Sequence, residues 1–231
     1  MTARLILGHG ASGTAATMAP YVSGLAARGI EARAVDLPRG RNAAAVEVFL
    51  AAARDDPGLA LGGHSFGGRM ASLAAAELSR ALREGAGTVR GAAGTVRGAA
   101  GTAREAARTA RDGAEAARDG AEAAHEPIAT AATGNAAVAT RPAALVCFSY
   151  PLHRPGAPEA ETRTAHWPDI DCPVLLLSGD RDPFTRIDLL RAAVSRLRDV
   201  ELIVFNGDRH GLPLHRDEAL DAAADFLRRR T

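Results

Sequence analysis

Leu59-Ala60-Leu61-Gly62-Gly63-His64-Ser65-Phe66-Gly67-Gly68 passes from a short apolar run through a glycine-rich turn. A sequence of helical character then runs from Phe66 to about Arg83. Gly63-x-Ser65-x-Gly67 between a strand and a helix is the pattern of a nucleophile elbow. Such a turn strains the serine backbone and needs glycines on either side, because neighbouring chains pass too close for a Cβ. It would lift the Ser65 hydroxyl above the sheet edge and place the Phe66 N–H at a helix N-terminus.

Outward from this turn, apolar runs alternate with amphipathic stretches. Leu5–Leu7, Glu31–Val35, Leu59–Gly62, Ala144–Phe148, Val174–Leu177 and Leu202–Phe205 read as strands. Ala15–Arg28, Ala43–Arg54, Phe66–Arg83, Arg186–Arg198 and Asp217–Arg230 read as helices. Strands apolar at consecutive positions, joined by helical crossovers, predict an α/β fold: a mostly parallel sheet with helices on both faces. In such sheets the functional loops gather at the carboxyl ends of the strands.

Two later loops carry the partners a serine nucleophile needs. The fifth strand runs into Ser178-Gly179-Asp180-Arg181-Asp182-Pro183-Phe184, and the sixth into Asn206-Gly207-Asp208-Arg209-His210-Gly211. Asp182, three residues beyond its glycine, fits the orienting acid better than Asp180, which reads as a turn residue. Asp182 before Pro183 also suits a helix N-cap. Of the seven histidines, His210 stands in the loop directly after the last strand, with His215 further on beside the final helix. After the first strand, Gly8-His9-Gly10-Ala11-Ser12-Gly13 offers the Ala11 N–H as a second oxyanion donor beside that of Phe66; Gly10, Gly63 and Gly67 shape the two turns. The same loop supports a rival reading, since Gly8-x-Gly10-x-x-Gly13 trailed by Asp36 matches a dinucleotide fingerprint.

Residues 85–140 stand apart as an insert. They contain no Phe, Trp, Tyr, Leu, Met or Cys, but 21 Ala and 9 Gly, with tandem copies at 87–93/94–100 and 110–116/117–123. Without large apolar side chains such a segment cannot offset the entropy of ordering it, so a disordered or weakly helical insert is expected. Residues 1–84 and 141–231 then form one α/β domain.

The formal charge is +1, every one of the 28 basic residues is arginine, and no long apolar span occurs. That balance gives no case for nucleic-acid or membrane partners. Cys147 and Cys172 read as buried thiols of a reducing compartment, and the chain as a cytoplasmic protein. No His/Cys/carboxylate spacing suggests a metal, and no cofactor is expected beyond the rival dinucleotide reading.

The His9-Gly10-Ala11 loop, the 63–72 segment, Tyr150-Pro151-Leu152-His153-Arg154-Pro155-Gly156, Gly179–Phe184 and Gly207–His210 together resemble the α/β-hydrolase superfamily. More narrowly, they are similar to its dienelactone-hydrolase-like branch, including the testis-expressed and NSL-complex-subunit type of hydrolase domain. The resemblance implies a triad of Ser65, Asp182 and His210 that cleaves an ester or similar acyl bond of a small substrate through an acyl-enzyme. Measured against that superfamily, the chain opens at its third strand and has a proline-rich loop over Pro151–Ile170 in place of a helical lid. A catalytically silent interaction domain on the same fold is the second reading.

Overall fold

The computed structural model describes residues 2–86, 140–158 and 163–231. Most of the 85–140 insert, with its expected disorder or weak helix, therefore lies outside the described residues. The main unit comprises 1–82 and 138–231. Its six strands are β1 (Arg4–Gly8), β2 (Glu31–Val35), β3 (Ala60–His64), β4 (Leu145–Phe148), β5 (Val174–Gly179) and β6 (Val200–Phe205). They pair in parallel throughout, in the order β2-β1-β3-β4-β5-β6.

The helices are α1 (Ala19–Ala26), α2 (Asn42–Asp55), α3 (66–86), α4 (Ile187–Ala193) and α5 (Arg216–Arg230). Because side chains alternate along a strand, each strand feeds two cores. Leu5, Leu7, Val146, Phe148, Leu175 and Leu177 pack with Tyr21 and Leu25 of α1 and with Leu220, Phe226 and Leu227 of α5. Ile6, Leu61, Leu145, Cys147, Val174 and Leu176 face Phe49 and Leu50 of α2, Met70 and Ala74 of α3, and Leu190 of α4. Both cysteines are free and buried, and burial pushes the Cys172 thiol up to about 12.

Two helices differ from the sequence reading. The stretch 15–28 is a 3-10 turn over Ala15–Met18 followed by α1, since Pro20 suits the first turn of an α-helix and not its middle. The stretch 186–198 shortens to α4 and a 3-10 turn over Val194–Arg196.

From β1 the chain steps outward to β2 and then returns past β1 to β3. This reversal opens a crevice beyond the carboxyl ends of β1 and β3, where doubly wound sheets bind ligands. At the far rim, β6 is followed in sequence by the charged face of α5. Arg229 and Arg230 both bond to Glu201 of β6, and Arg230 also reaches Asp199. The Arg229 contact holds the Glu201 carboxyl below its usual range.

Candidate active site

The turn after β3 is tightly made. Ser65 has φ 52°, a left-handed conformation that costs a non-glycine residue about 1–3 kcal/mol. Its N–H donates to the Phe148 carbonyl at 2.9 Å, and its carbonyl accepts the Arg69 N–H at 3.0 Å, which ties the strained residue to β4 and to the first turn of α3. A Cβ on Gly67 would lie 2.1 Å from the Gly8 carbonyl oxygen, and one on Gly63 2.4 Å from the same atom. The elbow glycines are thus required by the passage of β1.

Asp182 and His210 meet across the loops that follow β5 and β6. The His210 Nδ1–H donates to Asp182 Oδ2 at 2.7 Å, and the other carboxylate oxygen accepts the Phe184 N–H at 2.8 Å. The Asp182 side chain is fully buried. It does not cap a helix: α4 starts five residues later, at Ile187. Asp180 is a turn residue that also spans the two loops, accepting the Gly207 N–H at 2.7 Å. The His210 ring packs on Phe184 (centroids 4.5 Å apart) and on His64 (4.9 Å), the residue preceding Ser65.

Sequence reasoning missed several residues that hold this arrangement. Ser149, the first residue after β4, is fully buried with φ 53°, and its Oγ accepts the Gly211 N–H at 2.9 Å. Asp208 is fully buried. Its carboxylate accepts the amides of Arg209 (2.8 Å) and His215 (3.0 Å) and the His215 ring Nδ1–H (3.0 Å). These bonds hold Asp208 below the usual carboxylate range against the upward push of burial. Tyr21 reaches from α1 to donate to the Gly211 carbonyl at 3.1 Å. The one available signal was position: Ser149 directly follows β4 and Asp208 comes three residues after β6, both on the edge that bears the site.

The loop after β1 is braced by His9. Its Nε2 accepts the Leu37 N–H at 2.9 Å, which places the proton on Nδ1, and Nδ1 then donates to the Gly10 carbonyl at 2.7 Å. Ala11 is exposed at the turn, and neither its N–H nor that of Phe66 has an acceptor among the described residues. Gly10 faces the elbow: a Cβ there would come 3.1 Å from the His64 ring and 3.9 Å from Ser65 Cβ.

The dinucleotide reading of this loop fares poorly. No α-helix opens at its glycines; α1 begins six residues after Gly13. Asp36 is turned back to accept the Ala15 N–H at 2.6 Å, where it caps the 3-10 turn. The pyrophosphate cradle of that fingerprint needs a helix N-terminus at the glycines.

A cavity of about 360 Å³ opens beside His210 and His64, lined also by Gly10, Thr17, Tyr21 and Arg216. Burial, reinforced by the neighbouring His210, lowers His64 to about 4, so its ring is neutral, and its Nε2 has no hydrogen-bond partner. Of the remaining histidines, His153 and His166 are bonded to Arg154 and Ser72, while His125 lies outside the described residues.

Residues 128–228 match the family model described as an alpha/beta hydrolase domain. No curated protein matches the chain. Among solved structures it is similar to a monoacylglycerol lipase of Paleococcus ferrophilus, with a TM-score of 0.64 and 14% identity over 100% of this chain and 96% of that one. Esterase 2 of Thermogutta terrifontis, phosphoramylated by tabun, matches with a TM-score of 0.61 and 18% identity over 99% and 83%. A predicted CIB-like hydrolase from Thermoplasma acidophilum gives 0.59 and 14% over 98% and 86%. The fold is that of the α/β-hydrolases, and the family match over 128–228 supports the same superfamily.

Proposed function

We propose that the protein is a serine hydrolase that cleaves an ester or similar acyl bond of a small substrate. The observation that carries this reading is the His210–Asp182 hydrogen bond, 2.7 Å long, on the edge where the strained Ser65 turn projects. In this reading His210 takes the Ser65 proton as the hydroxyl attacks the acyl carbon and later returns a proton to the leaving group. Asp182 holds the imidazole tautomer. The N–H groups of Ala11 and Phe66, unengaged among the described residues, receive the oxyanion of the tetrahedral intermediate, and water then clears the acyl-enzyme. The esterase and lipase structural neighbours favour the same chemistry.

A fluorophosphonate probe tests the assignment. It is expected to add one adduct per chain, mapped to Ser65 by peptide mass spectrometry and absent in Ser65→Ala. Folded protein that takes up no adduct, or takes it up elsewhere, overturns the reading and favours a silent interaction domain.

A further inference from the structure

One turn of α3 beyond Ser65 stands Arg69, about 6 Å further along the helix axis. Its guanidinium makes no hydrogen bond or ion pair among the described residues, and its Nε is buried without a partner. A buried donor left unmade costs free energy, so native structures rarely keep one without a ligand, water or ion to receive it.

The wall facing Arg69 comes from the loop between β4 and β5. Ser72, three residues on from Arg69, donates to the Arg69 carbonyl at 2.7 Å and bonds to the His166 ring at 2.8 Å. Tyr150 donates to the Arg163 carbonyl at 2.5 Å. The segment 163–166 is thereby held against the first turns of α3, and it brings a second cation. The Arg163 guanidinium likewise has no carboxylate partner among the described residues. Burial and the charge of Arg69 push it below its usual value. The carboxylate beside His166, that of Asp169, lies 3.9 Å from Arg80. Burial and the Arg69 charge hold His166 itself neutral, lowered to about 4. Among the described residues, two guanidinium groups without carboxylate partners, Arg69 on α3 and Arg163 on the loop that follows β4, therefore stand within electrostatic reach of one another.

We propose that Arg69 and Arg163 form an anion subsite that selects acyl substrates bearing a carboxylate a few carbons from the scissile bond. The proposal rests on the serine hydrolase reading and adds the substrate class. A guanidinium fork matches a carboxylate in two parallel hydrogen bonds, and a partly buried site strengthens such charge-assisted bonds.

The test compares isosteric pairs on the full chain. Monoethyl glutarate is set against ethyl pentanoate, for a carboxylate on the acyl side. Carboxymethyl butyrate is set against propyl butyrate, for one on the alcohol side. At low salt, kcat/KM is expected to favour the charged member of one pair by about tenfold or more. That preference is expected to shrink about tenfold in Arg69→Met, to fall in Arg163→Met, and to return in part in Arg69→Lys. A wild-type ratio near one in both pairs, or a ratio unchanged in both methionine variants, overturns the subsite.

Calorimetric titration with glutarate separates the two readings. Binding that weakens in Arg69→Met with no turnover of any ester keeps the subsite and removes the hydrolase. Turnover of neutral esters with no glutarate binding and no charged preference does the reverse. Should Arg69→Met fail to fold, Arg163→Met, on the loop, decides the matter.

Discussion

Ser149 illustrates how one side chain can govern another's placement. Its hydroxyl receives the amide of Gly211, next to His210, from a residue held at positive φ. Ser149→Ala is expected to lower kcat toward a short-chain ester about tenfold with KM little changed. Its stability cost should be about 1 kcal/mol, the net worth of one hydrogen bond. Steady-state kinetics and a denaturant titration measure both, and a variant with wild-type kcat removes Ser149 from the positioning of His210. The site is partly legible in single residues. Ser65 and its glycines announce themselves because the steric demand is local: Gly63 and Gly67 are needed within two residues of the serine. Ser149 and Asp208 do not, because their partners are set by contacts between loops that are far apart in sequence. Asp182 shows the intermediate case. The pattern offered both an orienting acid and a helix cap, and the carboxylate bonds a turn amide with one oxygen and His210 with the other.

At the level of elements, consecutive apolar residues identify β1, β3, β4 and β5, since a strand buried on both faces has no polar side to show. The edge strands β2 and β6 are only partly buried and carry Glu31, Arg33 and Glu201. Helix ends are harder to read. An amphipathic pattern fits the 3-10 turns at Ala15–Met18 and Val194–Arg196 as well as it fits α-helix, because residues three and four apart both share a face. Pro20 was the available signal for the first break. The joint between β1, β3 and α3 is where an element is least tolerant. Gly67→Ala would drive a methyl group into the Gly8 carbonyl, backbone against backbone, with no flexible side chain to give way. We expect a loss of about 2 kcal/mol or more by chemical denaturation, together with loss of probe labelling at Ser65. Wild-type stability in that variant contradicts the close approach of β1 to the elbow.

For the whole molecule, acid sensitivity follows from the neutral buried histidines. His64, beside His210, Asp182 and Arg216, and His166, beside Arg69, Asp169 and Arg80, are each lowered to about 4 from 6.5, chiefly by burial. As pH falls below 6.5 the unfolded chain takes up these protons while the folded chain does not. Stability is then lost between about pH 6.5 and 4, and these two groups add nothing further below 4. Each proton is worth about 1.4 kcal/mol per pH unit within that window. Urea titrations at several pH values should show this slope, and His166→Asn should remove one proton from it. A slope that is flat or reversed between pH 6.5 and 5 contradicts the burial of these rings.

The rim strand β6 has a consequence for how the protein behaves when concentrated. A terminal strand carrying Leu202, Ile203 and Val204 is a template on which another extended chain could polymerise. Glu201, flanked by Arg229 and Arg230, sets a charged gatekeeper in that strand. Replacing it, as in Glu201→Val, is expected to lower the temperature at which a concentrated solution turns turbid relative to the parent chain, with light scattering recording the onset of aggregates.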